Sequence, residues 1–151
     1  MVDHARKEPP GETAPKRPTD AELGILRVLW SRGPSTVREV HAELSKLAPT
    51  GYTTVLKLMQ IMTDKGLVER DESSRAHVYS TGQPRQQVQR GLIGHLLDRA
   101  FEGSASQLVQ QALATRPASA QELAEIRSLL DEAERSATEA SDDNKEEPND
   151  A

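Results

Sequence analysis

Between Pro18 and Gly66 the apolar residues recur at three- and four-residue intervals, the period of helices that bury one face. Leu23, Ile25, Leu26, Val28, Leu29 and Trp30 make a first helix apolar around much of its girth. That predicts a central position in a small domain, with Trp30 in the core. Val37, Val40, His41, Leu44 and Leu47 fall on one stripe of a second helix. In a third, from Thr50 to Gly66, Val55, Leu58, Met59 and Met62 form the inward side. Thr53, Lys57, Gln60 and Asp64 lie opposite, with Thr54 and Ile61 near the edges. After Gly66 the period shortens to that of strands. Leu67 to Arg70 and Ala76 to Thr81 read as a hairpin with a polar tip, Asp71 to Arg75. A lone hairpin is marginal in water, so this one must pack on the helices through Leu67, Val68, Val78 and Tyr79.

The helical period returns beyond Gln83. One helix runs through Val88, Leu92, Leu96, Leu97 and Phe101, a short one carries Leu108, Val109, Ala112 and Leu113, and a third carries Leu123, Ile126, Leu129 and Leu130. Punctuation agrees with these spans. Thr19 with Glu22, Thr36 with Glu39, and Ser119 with Glu122 are capping boxes. Gly33-Pro34, Ala48-Pro49-Thr50-Gly51, Gly103-Ser104 and Arg116-Pro117 are breaks, and Gly66 reads as a C-cap glycine. The chain divides into a disordered arm (1–17), a first domain (18–82), a second helical unit (83–137) and a disordered acidic tail (138–151). Three short helices carry little core for an independent fold. Their apolar stripes need another surface, and the simplest supplier is an identical subunit.

Composition narrows the classes. Of 151 residues 35% are hydrophobic and only 3% aromatic, so the core is aliphatic and small helical units are favoured. A net charge of -5 argues at first against nucleic acid. Its distribution removes most of that objection: residues 138–151 hold six acids and one lysine, whereas residues 18–82 balance at eight of each sign. With no cysteine, disulfides, thiolate metal sites and a cysteine nucleophile are excluded. No apolar run is long enough for a membrane span and the N-terminus has no apolar signal region, which makes the cytoplasm the simplest location. His41 has no ligand partner at metal spacing and reads as a packed histidine; no cofactor or metal is expected.

Helix, short turn, and a helix with a polar outer face form the helix-turn-helix pattern, and a hairpin directly afterwards is a wing. The predicted fold is mainly α with a minor β part: a winged helix-turn-helix DNA-binding domain followed by a three-helix C-terminal dimerisation unit. Thr53, Thr54, Lys57 and Gln60 offer the short polar donors and the cation that suit a major groove. Arg70, Arg75 and His77 are placed to meet phosphates, while Asp71 and Glu72 oppose this unless they point away.

The run Tyr52-Thr53-Thr54-Val55 with Lys65-Gly66-Leu67-Val68 resembles the BlaI/MecI/CopY family of bacterial repressors. So do Leu26 to Trp30, Gly33-Pro34, Val37 to Val40, Arg75 to Tyr79, Phe101 to Ala105, Leu108-Val109, Glu122 to Ile126 and Leu129 to Asp131. The resemblance covers residues 18–135. It implies a winged-helix homodimer that binds an inverted-repeat, double-stranded DNA operator and represses genes until an inducing signal releases it. Groove contacts then fall on Thr53, Thr54, Lys57 and Gln60. Dimer contacts fall on Leu92, Leu96, Leu97, Phe101, Leu108, Val109, Leu123, Ile126, Leu129 and Leu130. Ile61 stands where relatives often carry arginine, which puts the preferred operator sequence in question. The copper-sensing branch of the family relies on C-terminal cysteines, which this chain lacks. The β-lactam branch pairs with a membrane sensor-protease that acts as antirepressor by cleaving an Asn-Phe bond; the aligned bond here is Gln111-Ala112, without that motif.

Two other readings compete. The balanced charge of residues 18–82 and the Asp71-Glu72 wing fit a winged-helix protein–protein module that does not bind DNA. Enzyme motifs are absent: there is no HExxH, P-loop, GxSxG or paired acid and histidine, so no enzymatic activity is expected.

Overall fold

The computed structural model describes residues 17–144. The expectations for residues 1–16 and 145–151 lie outside the described residues. The order of elements is α1 (Asp20–Arg32), β1 (Ser35–Thr36), α2 (Val37–Ser45), α3 (Tyr52–Asp64), β2 (Val68–Asp71), β3 (Val78–Thr81), α4 (Arg85–Ala100), α5 (Ala105–Thr115) and α6 (Ala120–Asp143). The fold class is the one expected, mainly helical with a small sheet.

The caps written in the sequence are made. Thr19, Thr36 and Ser119 each accept a hydrogen bond at the N-terminus of their helix, from the backbone N–H of Glu22, Glu39 and Glu122. Ser104 does the same for α5, accepting from Gln107. Gly66 closes α3 with φ +77°; its N–H donates to the Thr63 carbonyl and that of Leu67 to the Met62 carbonyl. This is the Schellman arrangement, which needs a left-handed residue and therefore favours glycine.

Two compact units are present, and the first extends to Leu96. Its core is Ile25, Leu26, Leu29, Val37, Val40, Val55, Met59, Met62, Leu67, Val68, Tyr79 and Val88. Helices α1, α2 and α3 supply most of it, and the wing contributes Leu67, Val68 and Tyr79, with Val78 half-buried, as the pattern predicted. The boundary differs from the one expected at 82, because Val88 is buried in this core and Leu92 packs against it. The first three turns of α4 thus belong to the first unit.

Three further departures have local causes. The wing is part of a three-stranded sheet, ordered β1-β3-β2, because Ser35 and Thr36 pair antiparallel with Tyr79 and Val78. Helix α2 stops at Ser45 instead of Leu47: Lys46 and Leu47 donate to carbonyls three residues back, which tightens the turn ahead of Pro49. Leu47 leaves the stripe and is 83% exposed. At the other end, α6 continues to Asp143, past the boundary expected at 137, since Ala, Glu and Ser in that stretch supply no breaker. Trp30 is half-buried against the core with the Arg85 guanidinium 5.5 Å from its ring centroid, a cation–π contact. Its indole N–H is buried without a partner.

In the second unit none of the residues of α5 or α6 is buried. Leu97, Phe101, Leu108, Leu123 and Ile126 are half-buried, while Val109, Leu113, Leu129 and Leu130 are exposed.

Candidate nucleic-acid interface

Helix α3 has two faces because its apolar residues share one side. Val55, Met59 and Met62 are fully buried, and Leu56 and Leu58 pack at the margin. Thr53, Thr54, Lys57 and Gln60 are all exposed on the other side, together with Ile61. Burial of one side fixes the helix, so the polar side is held in a set direction without contributing to the core.

Both ends of α3 are tied down. At its start, the Thr50 carbonyl lies 2.7 Å from His41 Nε2, so that nitrogen carries the proton and donates. The same imidazole meets the Tyr52 ring edge-on, with centroids 5.6 Å apart. His41 is therefore the packed histidine expected, and it fixes the chain where α3 begins. At the far end, Lys65 Nζ donates to both oxygens of Glu22, at 2.6 and 3.1 Å. Glu22 is only 2% exposed and also accepts from the Thr19 hydroxyl at 3.0 Å. The capping-box glutamate thus turns inward and joins the start of α1 to the end of α3. A buried carboxylate needs such pairing, and loss of one partner leaves an uncompensated charge.

The wing resolves the conflict posed by its acids. Asp71 Oδ1 accepts the Ser73 backbone N–H at 2.9 Å, an Asx turn at the hairpin tip. Hydrogen bonds from the Ser73 side chain and backbone hold the Asp71 carboxyl below its ordinary pKa. Glu72 pairs with Arg70. Arg70 is in turn engaged by the Tyr79 side chain, which with Glu72 raises its pKa. Arg70 is therefore committed within the hairpin, which differs from its expected place as an open phosphate contact. Arg75 and His77 are exposed and have no acidic partner among the described residues.

Arg75 and His77 also line an open cleft between the wing, the start of α2 and the start of α3. Arg38 and Tyr52 line it too, and no acidic side chain does. Sequence reasoning passed over both of these. Arg38 carried one signal: a cation in the first turn of a helix stands against the helix dipole, which favours acids there.

The sites expected elsewhere are scattered. Leu92 packs on the first unit's core, away from the dimerisation role assigned to it. Gln111 and Ala112 lie within α5, exposed and helical. Among the described residues, no group of acidic and histidine side chains is arranged to hold a metal, and no helix is long and apolar enough to cross a membrane.

The chain is 36% identical over 89 residues to the transcriptional regulator BlaI of Mycobacterium tuberculosis, which covers 58% of this chain and 64% of that protein, just under two thirds of its length. It is 25% identical over 114 residues to the penicillinase repressor of Bacillus licheniformis, covering 76% and 89%. Two solved structures also match: the DNA-binding domain of the repressor BlaI (TM-score 0.45, 25% identity, 51% of this chain and 93% of that one), and Bacillus licheniformis BlaI in monomeric form with the blaP half-operator (0.42, 27%, 48% and 90%). The family described as penicillinase repressor matches residues 18–132, most of the chain and nearly all of the described part. The chain belongs to the penicillinase repressor family.

Proposed function

We propose that this chain is a sequence-specific transcriptional repressor that binds duplex DNA as a homodimer and has no enzymatic activity. The observation that carries the reading is α3 itself: its inward side is buried and its outward side presents Thr53, Thr54, Lys57 and Gln60 to solvent. Hydroxyl, amide and ammonium groups are the types that read base edges in a major groove. Arg75 and His77 on the wing suit the flanking phosphates. The names of the relatives, a transcriptional regulator and a penicillinase repressor, point the same way.

A dimer is the arrangement that the second unit calls for. Leu129 is 62% and Leu130 56% exposed, on a helix that buries none of its residues. A second copy covering the stripe with Leu96, Leu97, Phe101, Leu108, Val109, Leu123 and Ile126 removes that surface from water. Two recognition helices then address half-sites about 34 Å apart or a multiple of it. In this reading the repressor works in the cytoplasm, and a membrane sensor-protease that cuts near Gln111-Ala112 is one route to induction. Because those residues sit in a helix, cleavage requires α5 to open first. The reading as a protein–protein module loses one of its two motives, since Asp71 and Glu72 are satisfied inside the wing.

Footprinting the purified protein on the promoter region of its own gene tests the proposal. Protection of two symmetrically related half-sites, competed poorly by random duplex, is the expected result. Protection that is uniform along the fragment, or none, overturns it.

A further inference from the structure

We infer that the cleft between α2, α3 and the wing seats one backbone phosphate of the bound duplex, with Arg38 as its principal ligand and Tyr52, Arg75 and His77 around it. The inference rests on the DNA-binding reading and adds to it a site, two residues and a ligand class, the phosphodiester anion. Four observations converge. The cleft is lined by three basic side chains and no acidic one. Arg38 has no ion-pair partner among the described residues, although Glu39 stands next to it in sequence. Glu39 is spent elsewhere: its carboxylate accepts from the Arg32 guanidinium and from the Thr36 hydroxyl. Arg38 also occupies the first helical turn, where a cation is unfavourable unless an anion is close.

The fourth observation concerns Tyr52. It is half exposed, yet its ring is braced by the edge-on His41 imidazole, whose own position is set by the Thr50 carbonyl. A phenol held in this way lines the cleft with little rotamer freedom left to lose. Guanidinium groups present paired N–H donors that match phosphate oxygens, and a hydroxyl donor completes such a set. Because the lining comes from α2, α3 and the wing, one phosphate held there fixes the insertion depth of α3 relative to the wing. His41 acts as a positioning residue through Tyr52.

The test uses the full chain and duplexes carrying a footprinted half-site in which one phosphodiester at a time is replaced by an uncharged methylphosphonate. The expected result is one position per half-site at which replacement weakens wild-type binding by roughly tenfold, as for loss of a hydrogen bond to a charged group. Arg38→Ala should weaken binding to the unmodified duplex by a similar factor, lower the salt slope by about one, and show no further loss at that position. Tyr52→Phe should lose less, with its loss also confined to that position. His41→Ala should reproduce the Tyr52→Phe profile, and addition of the two losses in the double variant counts against positioning. Wild-type affinity in Arg38→Ala overturns the seat while leaving DNA binding intact if Lys57→Ala still weakens the complex. Equal losses at every phosphate in wild type and Arg38→Ala also overturn it. Failure of the wild-type chain to prefer its footprinted duplex over random DNA overturns the DNA-binding reading and the seat together. Unchanged circular dichroism in the variants is the control for folding.

Discussion

Lys57 and Arg75 are both exposed cations, but truncating them should have different consequences. Lys57 lies on the exposed polar side of α3; if that side reads base edges as proposed, Lys57→Ala should weaken operator binding and relax preference at one base pair, by about 1–3 kcal/mol of discrimination. Arg75 lies on the wing, so Arg75→Ala should weaken binding to all sequences alike and reduce the salt slope by about one. Affinities measured on a panel of single-base operator variants at two salt concentrations separate the two; unchanged affinity in both variants rejects this docking of α3 and the wing. Glu39 gives a prediction of another kind. Its carboxyl is held below its ordinary pKa chiefly by the Arg32 hydrogen bond and next by Thr36. A group whose pKa falls on folding contributes stability above its unfolded value and loses it as pH drops through the folded value. Wild type should therefore melt above Glu39→Gln at neutral pH, and the two midpoints should converge as the pH falls below the ordinary glutamate range. A gap that stays constant however far the pH falls below the ordinary glutamate range contradicts a charge-dependent role.

At the scale of elements, much was written locally and the rest was not. Three capping boxes, Gly66 and the change of period gave α1, α2, α3, α6 and the hairpin, because each depends on neighbours within about one turn. Strand β1 left no trace in sequence: two residues are too few for a period, and Ser35 and Thr36 become a strand only through pairing with β3. Leu47 kept the helical period, but Pro49 ahead of it imposed a tighter turn. The polar face of α3 was legible, whereas the cleft lined by Arg38 and Tyr52 was not, since it exists only once α2, α3 and the wing meet. The inward turn of Glu22 toward Lys65 joins residues 43 apart, and a capping motif cannot announce it. One junction between elements gives a direct test. A Cβ on Gly82 would lie 2.5 Å from the Gly66 carbonyl oxygen, where the end of β3 passes the turn that closes α3. Gly82→Ala should force the backbone apart and lower stability by about 1–3 kcal/mol, the usual cost of overpacking. Urea unfolding measures it, and a loss well below that range means that the turn shifts easily.

For the whole molecule, the asymmetry between the two units is the main fact. The first unit holds all of the buried hydrophobic core found among the described residues, and the second holds none. If a second copy covers the second unit, then replacing Leu129 and Leu130 by aspartate should shift sedimentation from dimer to monomer at micromolar protein. The first unit should remain folded, because neither residue belongs to its core. Operator affinity should drop steeply while single half-site affinity stays near that of wild type. A dimer that survives both substitutions rejects this face as the interface. Net charge was informative here only once it was divided along the chain. The overall value of -5 hides a first domain with balanced charge, in which Glu22, Glu39, Glu43 and Glu72 are paired internally.

The division of α3 into an anchored side and an open side has a consequence for how such a regulator changes over generations. Val55, Met59 and Met62 are fully buried and carry the folding load of this helix, while Thr53, Thr54, Lys57, Gln60 and Ile61 lie on its exposed side. If the open side reads the operator as proposed, variation at the second set alters which promoter is addressed at little cost to the fold, so a duplicated copy can drift to a new target without passing through an unfolded intermediate. On the same reading, these five positions become a natural alphabet for building mutually insulated genetic switches on one scaffold.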